Sequence, residues 1–113
     1  MEIPDKNVGD VCVVSLSGRL DAYHANEVEQ KLNSLIESAQ VRLVVNFADL
    51  AYISSSGLRV LLAVLKKVRK QQGDVKLAAL QPYIKEVFDI AGFTQLFNIF
   101  EAEDAAIAAF QEA

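Results

Sequence analysis

The sequence predicts an α/β fold, a small mixed and mostly parallel β-sheet of four to five strands packed with about four helices. Apolar runs of strand length alternate with segments of helical periodicity, which is typical of parallel strands joined by helical crossovers. The run from Val41 to Phe47 is almost continuously apolar and rich in Val and Leu, as expected of a strand buried on both faces. No linker or internal repeat interrupts the 113 residues, so we expect residues 1–113 to form a single domain.

The amino-terminal third predicts a strand or hairpin followed by a helix. Val8 to Ser17 reads VGDVCVVSLS, with Gly9-Asp10 as a possible turn and valines of high β propensity after it. Gly18 is expected to break this strand. Asp21 stands just before the helix and can cap it, or hold the loop, by accepting backbone N–H bonds. The apolar face of this helix is formed by Val28, Leu32, Leu35 and Ile36.

A serine cluster follows the central strand. After a short turn, Ser54 to Ser56 and Gly57 precede a second helix, which is expected to run to about Gln72 and to stop at Gly73, a suitable left-handed cap residue. The apolar stripe of that helix is Leu58, Leu61, Leu62, Leu65 and Val68. Serines at a helix N-terminus accept bonds from unpaired N–H groups. They would place hydroxyls at the carboxyl end of a central strand, where open α/β sheets usually bind ligands and partners.

The carboxyl-terminal third predicts two more strands and two more helices. Val75 to Leu80 is a strand, and Gln81-Pro82 opens a helix because proline is well tolerated at the first helical position. Gly92 ends that helix, and Leu96 to Phe100 follows as a short strand near an edge. Glu103 to Gln111 forms the last helix, with acidic residues in its first turn. We expect all six phenylalanines to contribute to the core: Phe47, Phe88, Phe93, Phe97, Phe100 and Phe110.

Composition restricts the environment and the partners. A single cysteine, Cys12, cannot form an internal disulfide, which fits a reducing compartment. The sequence has neither a signal-peptide pattern nor an apolar run of the ~18 to 20 residues that a membrane span requires. Fifteen acidic and eleven basic side chains give a net charge of −4, which disfavours binding to a phosphate backbone. We therefore expect a cytoplasmic protein that has no membrane span and does not bind nucleic acid directly.

The residues favour a protein that is not an enzyme and has no cofactor. There is no phosphate-binding loop, dinucleotide fingerprint, nucleophile elbow or metal-spaced set of His and Cys. His24 is the only histidine, and we interpret it as an exposed residue of the first helical turn. A phosphoacceptor domain of the aspartyl receiver type needs an acidic pair after its first strand. Here that strand ends in Ser17-Gly18, and Asp49 is the only carboxylate near the central corner.

The serine cluster can instead accept a phosphoryl group from the active site of another protein. A phosphoserine adds roughly −1.5 to −2 charges at pH 7 and three strong acceptor oxygens. Such a charge is tolerated at a helix N-terminus. A partner surface that had packed against a neutral hydroxyl would be repelled, and this asymmetry is what a binding switch requires.

Three segments carry a resemblance to a known family. They are SGRLDAYHANEVEQKL, VVNFADLAYISSSGLRVLLAVLKKVRKQQG and LAALQPYIKEVFDIAGFTQLFNIF, and together they resemble the bacterial anti-sigma factor antagonists, the STAS domain family. The resemblance implies that Ser55 is phosphorylated, with Ser54 and Ser56 as less favoured acceptors. It also implies two partners, an anti-sigma factor that is itself a serine kinase and a PP2C-type phosphatase. The unphosphorylated form would sequester the anti-sigma factor and so free a sigma factor. The partner-binding residues would be Gly18, Asp21, Ser54, Ser56, Gly57 and Arg59.

The chain departs from the family pattern D-S-[ST]-G-L-G at two positions. Ser54 replaces the usual aspartate, and Arg59 replaces the usual glycine. Two alternatives to the switch follow from the same residues. One is a constitutive STAS scaffold subunit of a larger signalling or lipid-transport complex, never phosphorylated. The other is an enzyme that uses Ser55 as a nucleophile, for which His24 would be the only available base.

Overall fold

The chain folds into a five-stranded sheet flanked by helices. The structure is a computed structural model that describes residues 1–111. In chain order its elements are β1 (Asp5–Val8), β2 (Val11–Leu20), α1 (Ala22–Glu37), β3 (Arg42–Ile53), α2 (Ser55–Lys70), β4 (Asp74–Ala78), α3 (Pro82–Ile90), β5 (Asn98–Phe100) and α4 (Glu103–Gln111). A single 3-10 turn, Phe93–Gln95, lies between α3 and β5.

The strands lie in the sheet in the order in which they occur along the chain. β1 pairs with β2 in antiparallel orientation, whereas β2, β3, β4 and β5 are mutually parallel neighbours. The β1–β2 turn is Gly9-Asp10, and Gly9 takes a left-handed φ of 64°, which glycine adopts without steric cost. The predicted fold class is therefore confirmed, and so are the amino-terminal hairpin and the position of the last strand at an edge.

The sheet is buried on both faces. Cys12, Val14 and Leu16 of β2 belong to a large apolar cluster that includes residues of α1, α2 and α3. Val11 and Val13, which alternate with them, belong to a smaller cluster under α4. β3 divides in the same way, which explains why its first half is a continuous apolar run. Four phenylalanines are buried, Phe47, Phe88, Phe97 and Phe110, and two are half-buried, Phe93 and Phe100.

The second half of β3 differs from the prediction. The turn expected after Phe47 is wrong, because the strand continues to Ile53. β4 pairs only with Arg42–Asn46, so the remainder of β3 is paired along β2 alone, and Ala48 and Asp49 are exposed. The apolar run therefore stops where one neighbouring strand ends, although the strand itself does not.

Two glycines also behave differently from the prediction. Gly18 does not end β2, which continues to Leu20. Gly18 instead takes φ 73° at a shift in the register with β3. At the end of α2 the left-handed residue is Gln72, not Gly73. Gly73 is required for a different reason, since a β-carbon there would lie 2.1 Å from the Val41 carbonyl oxygen.

Candidate functional site

The structure brings two loops together at the carboxyl ends of β2 and β3. We refer to two short segments as loops: the serine corner, Ser54 to Gly57, at the junction of β3 and α2, and its neighbour, Gly18 to Asp21, which comprises the last three residues of β2 and the Asp21 that links β2 to α1. The Ser54 amide donates a hydrogen bond to the Leu20 carbonyl, with an N···O distance of 2.8 Å. This bond holds the end of β2 next to the start of α2.

Ser54 caps α2. Its backbone is extended, with φ −93° and ψ 170°, and its hydroxyl oxygen accepts a bond from the Gly57 amide at 3.2 Å. Its carbonyl oxygen accepts the first helical bond, from the Leu58 amide at 3.0 Å. The serine that replaces the usual family aspartate therefore does the same capping work that an aspartate can do.

Ser55 is the first residue of α2, and its side chain is exposed. Ser56, the next residue, is half-buried. Since Ser54 already satisfies the Gly57 amide, a change at the Ser55 hydroxyl leaves the helix cap in place. Of the three serines, only Ser55 is exposed.

Gly57 is buried at the point where the two loops touch. A β-carbon at position 57 would lie 2.7 Å from Leu20 Cγ and 3.1 Å from Ile53 Cγ1. Contacts below 3.0 Å require a neighbour to move. Gly57 therefore serves the close approach of α2 to the neighbouring loop, and it has no side chain to contact a partner.

Asp21 caps α1, as predicted. Its Oδ1 accepts a bond from the His24 backbone amide at 3.0 Å and lies 2.9 Å from His24 Nδ1. Partial desolvation raises the pKa of the Asp21 carboxyl, but the bonds from the His24 amide and ring outweigh it and the net pKa is below its ordinary value. The carboxylate is thus committed to the start of α1.

His24 lies in the first turn of α1, as expected, but two features of its environment were missed. Its side chain is only 28% exposed, and a carboxylate, Asp21, contacts its ring. The ring of Tyr23 meets it edge-on, with centroids 5.0 Å apart, and Tyr23 itself is 82% exposed. Three-residue spacing from Asp21 was the signal in the sequence that could have revealed the pair.

Arg19 and Tyr52 are site residues that the sequence did not reveal. They are paired across β2 and β3, and the Arg19 guanidinium carbon lies 4.1 Å from the centroid of the Tyr52 ring. The cation–π pair directly precedes the Leu20–Ile53 pair along the two strands, and Arg19 is exposed. No pattern in the sequence indicates it, because the contact depends on strand register.

Arg59 lies on α2, four residues after Ser55, and is exposed. Within residues 1–111 its guanidinium forms no salt bridge. By contrast, Arg42 pairs with Asp10 and Arg69 pairs with Asp74. The arginine that departs from the family glycine is therefore free of carboxylates of the described chain.

The serine corner lies at the surface, with Ser55 exposed. A cavity of about 450 Å³ lies elsewhere, at the carboxyl ends of β4 and β5, lined by Leu80, Pro82, Lys85, Ile99, Phe100 and Glu101. In the described part of the chain, no three side chains of His, Cys, Asp or Glu are grouped so that they could hold a metal ion. Across residues 1–111 we find no helix with the length and apolarity needed to traverse a lipid bilayer.

Comparison with known proteins defines the class. The sequence profile of the STAS domain matches residues 2–106. A Bordetella bronchiseptica protein named as an anti-sigma factor antagonist, BtrV, is 34% identical over 113 residues, which cover all of this chain and 97% of that protein. The anti-sigma-B factor antagonist of Bacillus subtilis is 32% identical over 95 residues, covering 83% of this chain and 85% of its own.

A solved structure has the same fold. The Bacillus cell-fate determinant SpoIIAA, in its phosphorylated form, superposes with a TM-score of 0.76 at 22% identity, covering 96% of this chain and 99% of that one. The profile match and the two relatives together settle the class. The chain belongs to the STAS domain family, in its group of anti-sigma factor antagonists.

Proposed function

We propose that this protein is a phosphorylation-controlled binding switch, whose unphosphorylated form sequesters an anti-sigma factor that is also a serine kinase and so frees a sigma factor. The observation that carries the proposal is that different serines of the corner cap the helix and present a hydroxyl to solvent. Ser54 caps α2 through the Gly57 amide, while Ser55 is exposed at the first helical position. Ser55 can therefore be modified without loss of the cap.

The physical cost of the phosphate falls on the partner. At the first position of a helix, backbone N–H groups and the helix dipole favour a negative charge, so the domain tolerates the phosphate. A partner packed against the neutral hydroxyl would have to desolvate a dianion. The structural likeness to SpoIIAA, solved in a phosphorylated form, supports the same tolerance in this fold.

The proposed binding surface contains the remaining predicted residues of both loops, and they act in different ways. Asp21 and Ser54 shape it as helix caps, Gly57 permits the two loops to touch, and Gly18 provides the left-handed bend before them. The residues that offer side chains to a partner are Ser56, which is half-buried, and Arg59, which is exposed. To these we add Arg19 and Tyr52, since arginine and tyrosine are enriched among the residues that dominate binding energy.

The proposal includes the location and the partners implied by the resemblance. The switch would act in the cytoplasm, would have no catalytic activity or cofactor of its own, and would be dephosphorylated by a PP2C-type phosphatase. The names of its relatives as anti-sigma factor antagonists support the choice of partner.

The test is the mass of the protein isolated from its native host. A species heavier by one HPO₃ group, about 80 Da, with the phosphate mapped by peptide fragmentation to Ser55, is the expected result. The sample should be taken both in growth and under stress, because the switch requires two populated states. If the protein carries no phosphate in either sample, the constitutive scaffold is the correct interpretation. A phosphate found only on Ser54 or Ser56 would show that Ser55 is not the acceptor and would contradict the proposal for this residue.

A further inference from the structure

We propose that Arg59 is an internal receptor for the phosphate of Ser55, folding over the modified side chain and holding it as a dianion. The inference rests on the proposed phosphorylation of Ser55. It adds that the modified state is an ordered arrangement within the domain, in which the phosphate and Arg59 are both withdrawn from the partner.

Arg59 is available for this role, unlike the other three arginines. Arg42 is paired with Asp10 and donates to the Phe110 carbonyl, and Arg69 is paired with Asp74 and donates to the Leu96 carbonyl. Arg19 lies over the Tyr52 ring. Arg59 alone combines exposure with the absence of any salt bridge or ring contact among the described residues.

The geometry of α2 places Arg59 within reach. Residues four apart on a helix lie on the same face, with β-carbons about 5–6 Å apart. Ser55 and Arg59 have this spacing and are both exposed, whereas Leu58 between them is buried. A guanidinium presents two parallel N–H donors to two phosphate oxygens, the bidentate geometry that lysine cannot supply.

No carboxylate on its own helix competes for Arg59, because Ser55–Lys70 contains no Asp or Glu. The first turn of α2 contains no acidic residue. On the neighbouring loop the carboxylate of Asp21 is occupied by the His24 amide and ring. The phosphate therefore enters a region where the free charge on the helix is positive. In the family pattern a glycine occupies position 59, so the receptor is a feature of this chain.

The test is a ³¹P NMR titration of protein in which phosphoserine is incorporated at position 55 during translation. The second pKa of a phosphoserine is about 6, and a paired cation favours the dianion and lowers it. We expect the second pKa in the folded protein to lie roughly 0.5 unit or more below that in an unfolded peptide of the same sequence. Arg59→Gln should remove at least half of that difference, and Arg59→Lys should restore only part of it.

Lys66→Gln is the matched control. Lys66 is an exposed cation on the same helix, eleven residues and three turns beyond Ser55, so its substitution removes the same charge at a distance of roughly 16 Å. It should leave the second pKa within about 0.1 unit of that of the unsubstituted phosphoprotein. Equal shifts in the Gln variants of Arg59 and Lys66 would mean that the net positive charge of the helix, and not a specific contact, lowers the pKa. An unchanged pKa in Arg59→Gln would mean that Arg59 does not bind the phosphate.

Because phosphoserine is installed during synthesis, this result does not depend on the kinase. A phosphoprotein from the host with an unperturbed second pKa would overturn the receptor and leave the switch intact. If the pKa is lowered and Arg59→Gln restores it, but the protein is never phosphorylated in its host, the receptor geometry stands and the proposed switch is overturned. Amide spectra of each variant, compared with the unsubstituted protein, verify that the fold is unchanged.

Discussion

Gly57 and Leu20 are in direct contact across the two loops of the site, and the contact leaves no room for a β-carbon on position 57. The added carbon would lie 2.7 Å from Leu20 Cγ. Three residues before Gly57, the Ser54 amide donates a hydrogen bond to the carbonyl of the same leucine. The glycine of the S-G-L motif therefore determines how closely α2 approaches the end of β2. This packing role accounts for Gly57 without any contact to a partner.

Gly57→Ala is expected to lower the free energy of unfolding by about 1–2 kcal/mol. Alanine gains up to about 1 kcal/mol over glycine in a helix, less in its first turn, but overpacking a closed site costs about 1–3 kcal/mol. Urea denaturation measures the difference. The double variant Gly57→Ala/Leu20→Ala should lose less stability than the sum of the losses in the two single variants, because truncation of Leu20 makes room for the methyl group. A Gly57→Ala protein as stable as the parent would refute the steric argument.

Ser54 and Ser55 should respond differently to the same substitution. Ser54→Ala removes the cap to the Gly57 amide and should cost about 1 kcal/mol, whereas Ser54→Asp retains the cap and should be close to neutral. Ser55→Ala changes an exposed side chain and should stay within about 0.5 kcal/mol of the parent. Thermal unfolding of the three variants under one condition makes the comparison. Equal destabilisation by the two alanines would mean that Ser55 also caps the helix, which would weaken its assignment as the free acceptor.

The sequence predicts the elements of this fold because local pattern and tertiary structure agree over most of the chain. The buried run at Val41 to Phe47, the Gly9-Asp10 turn and the proline that opens α3 each have a local physical cause. The serine corner was also predictable, since helix N-termini have a distinctive composition. The Asp21 cap follows from the same rule.

The errors in β2 and β3 share a physical origin in strand pairing. β2 and β3 extend through Gly18 and Asp49 because they pair with one another there, and neither residue favours a strand on its own. The same register places Arg19 over Tyr52 and brings Leu20 against Gly57. Contacts between residues more than thirty positions apart have no signature in a single sequence. For this reason the serine corner was predictable as a strand-to-helix junction, but the Arg19–Tyr52 pair was not.

Glu103 should make the stability of the domain dependent on pH in acid. Its carboxylate accepts a bond from Asn46 Nδ2 at 2.9 Å and lies 2.8 Å from Lys6 Nζ, so it joins α4 to β3 and β1. The hydrogen bond from Lys6, followed by that from Asn46, lowers the pKa of the Glu103 carboxyl below its ordinary value. The unfolded chain therefore takes up this proton at a higher pH than the folded protein does. The contribution is complete above about pH 5 and is lost as the pH falls through the lowered folded pKa.

Glu103→Gln tests this contribution. The variant should unfold roughly 2–4 °C below the parent at pH 7, a modest effect because Lys6 is largely exposed to solvent. The difference between the two proteins should shrink steadily as the pH falls below about 5 and the Glu103 carboxylate takes up its proton. Glu101→Gln is the control, since Glu101 is exposed and forms no salt bridge within residues 1–111. A gap between parent and Glu103→Gln that is constant from pH 7 to pH 3 would show that the charge is not responsible.

The binding switch itself predicts opposite results for two substitutions at one position. Ser55→Ala preserves a small neutral side chain and should bind constitutively, whereas Ser55→Asp places a charge at the docking surface and should weaken binding at least tenfold, about 1.4 kcal/mol. The measurement is titration calorimetry against each anti-sigma factor of the host that carries a serine kinase domain, purified separately. Ser34→Ala, at an exposed serine of α1 outside the proposed surface, serves as the control and should bind as the parent does. Because the folded domain tolerates a negative charge at the first position of α2, the Ser55→Asp protein should unfold no more easily than the parent, so lost binding would reflect the charge and not a loss of structure. Equal affinity of the alanine and aspartate variants for every such partner would exclude Ser55 as the switch.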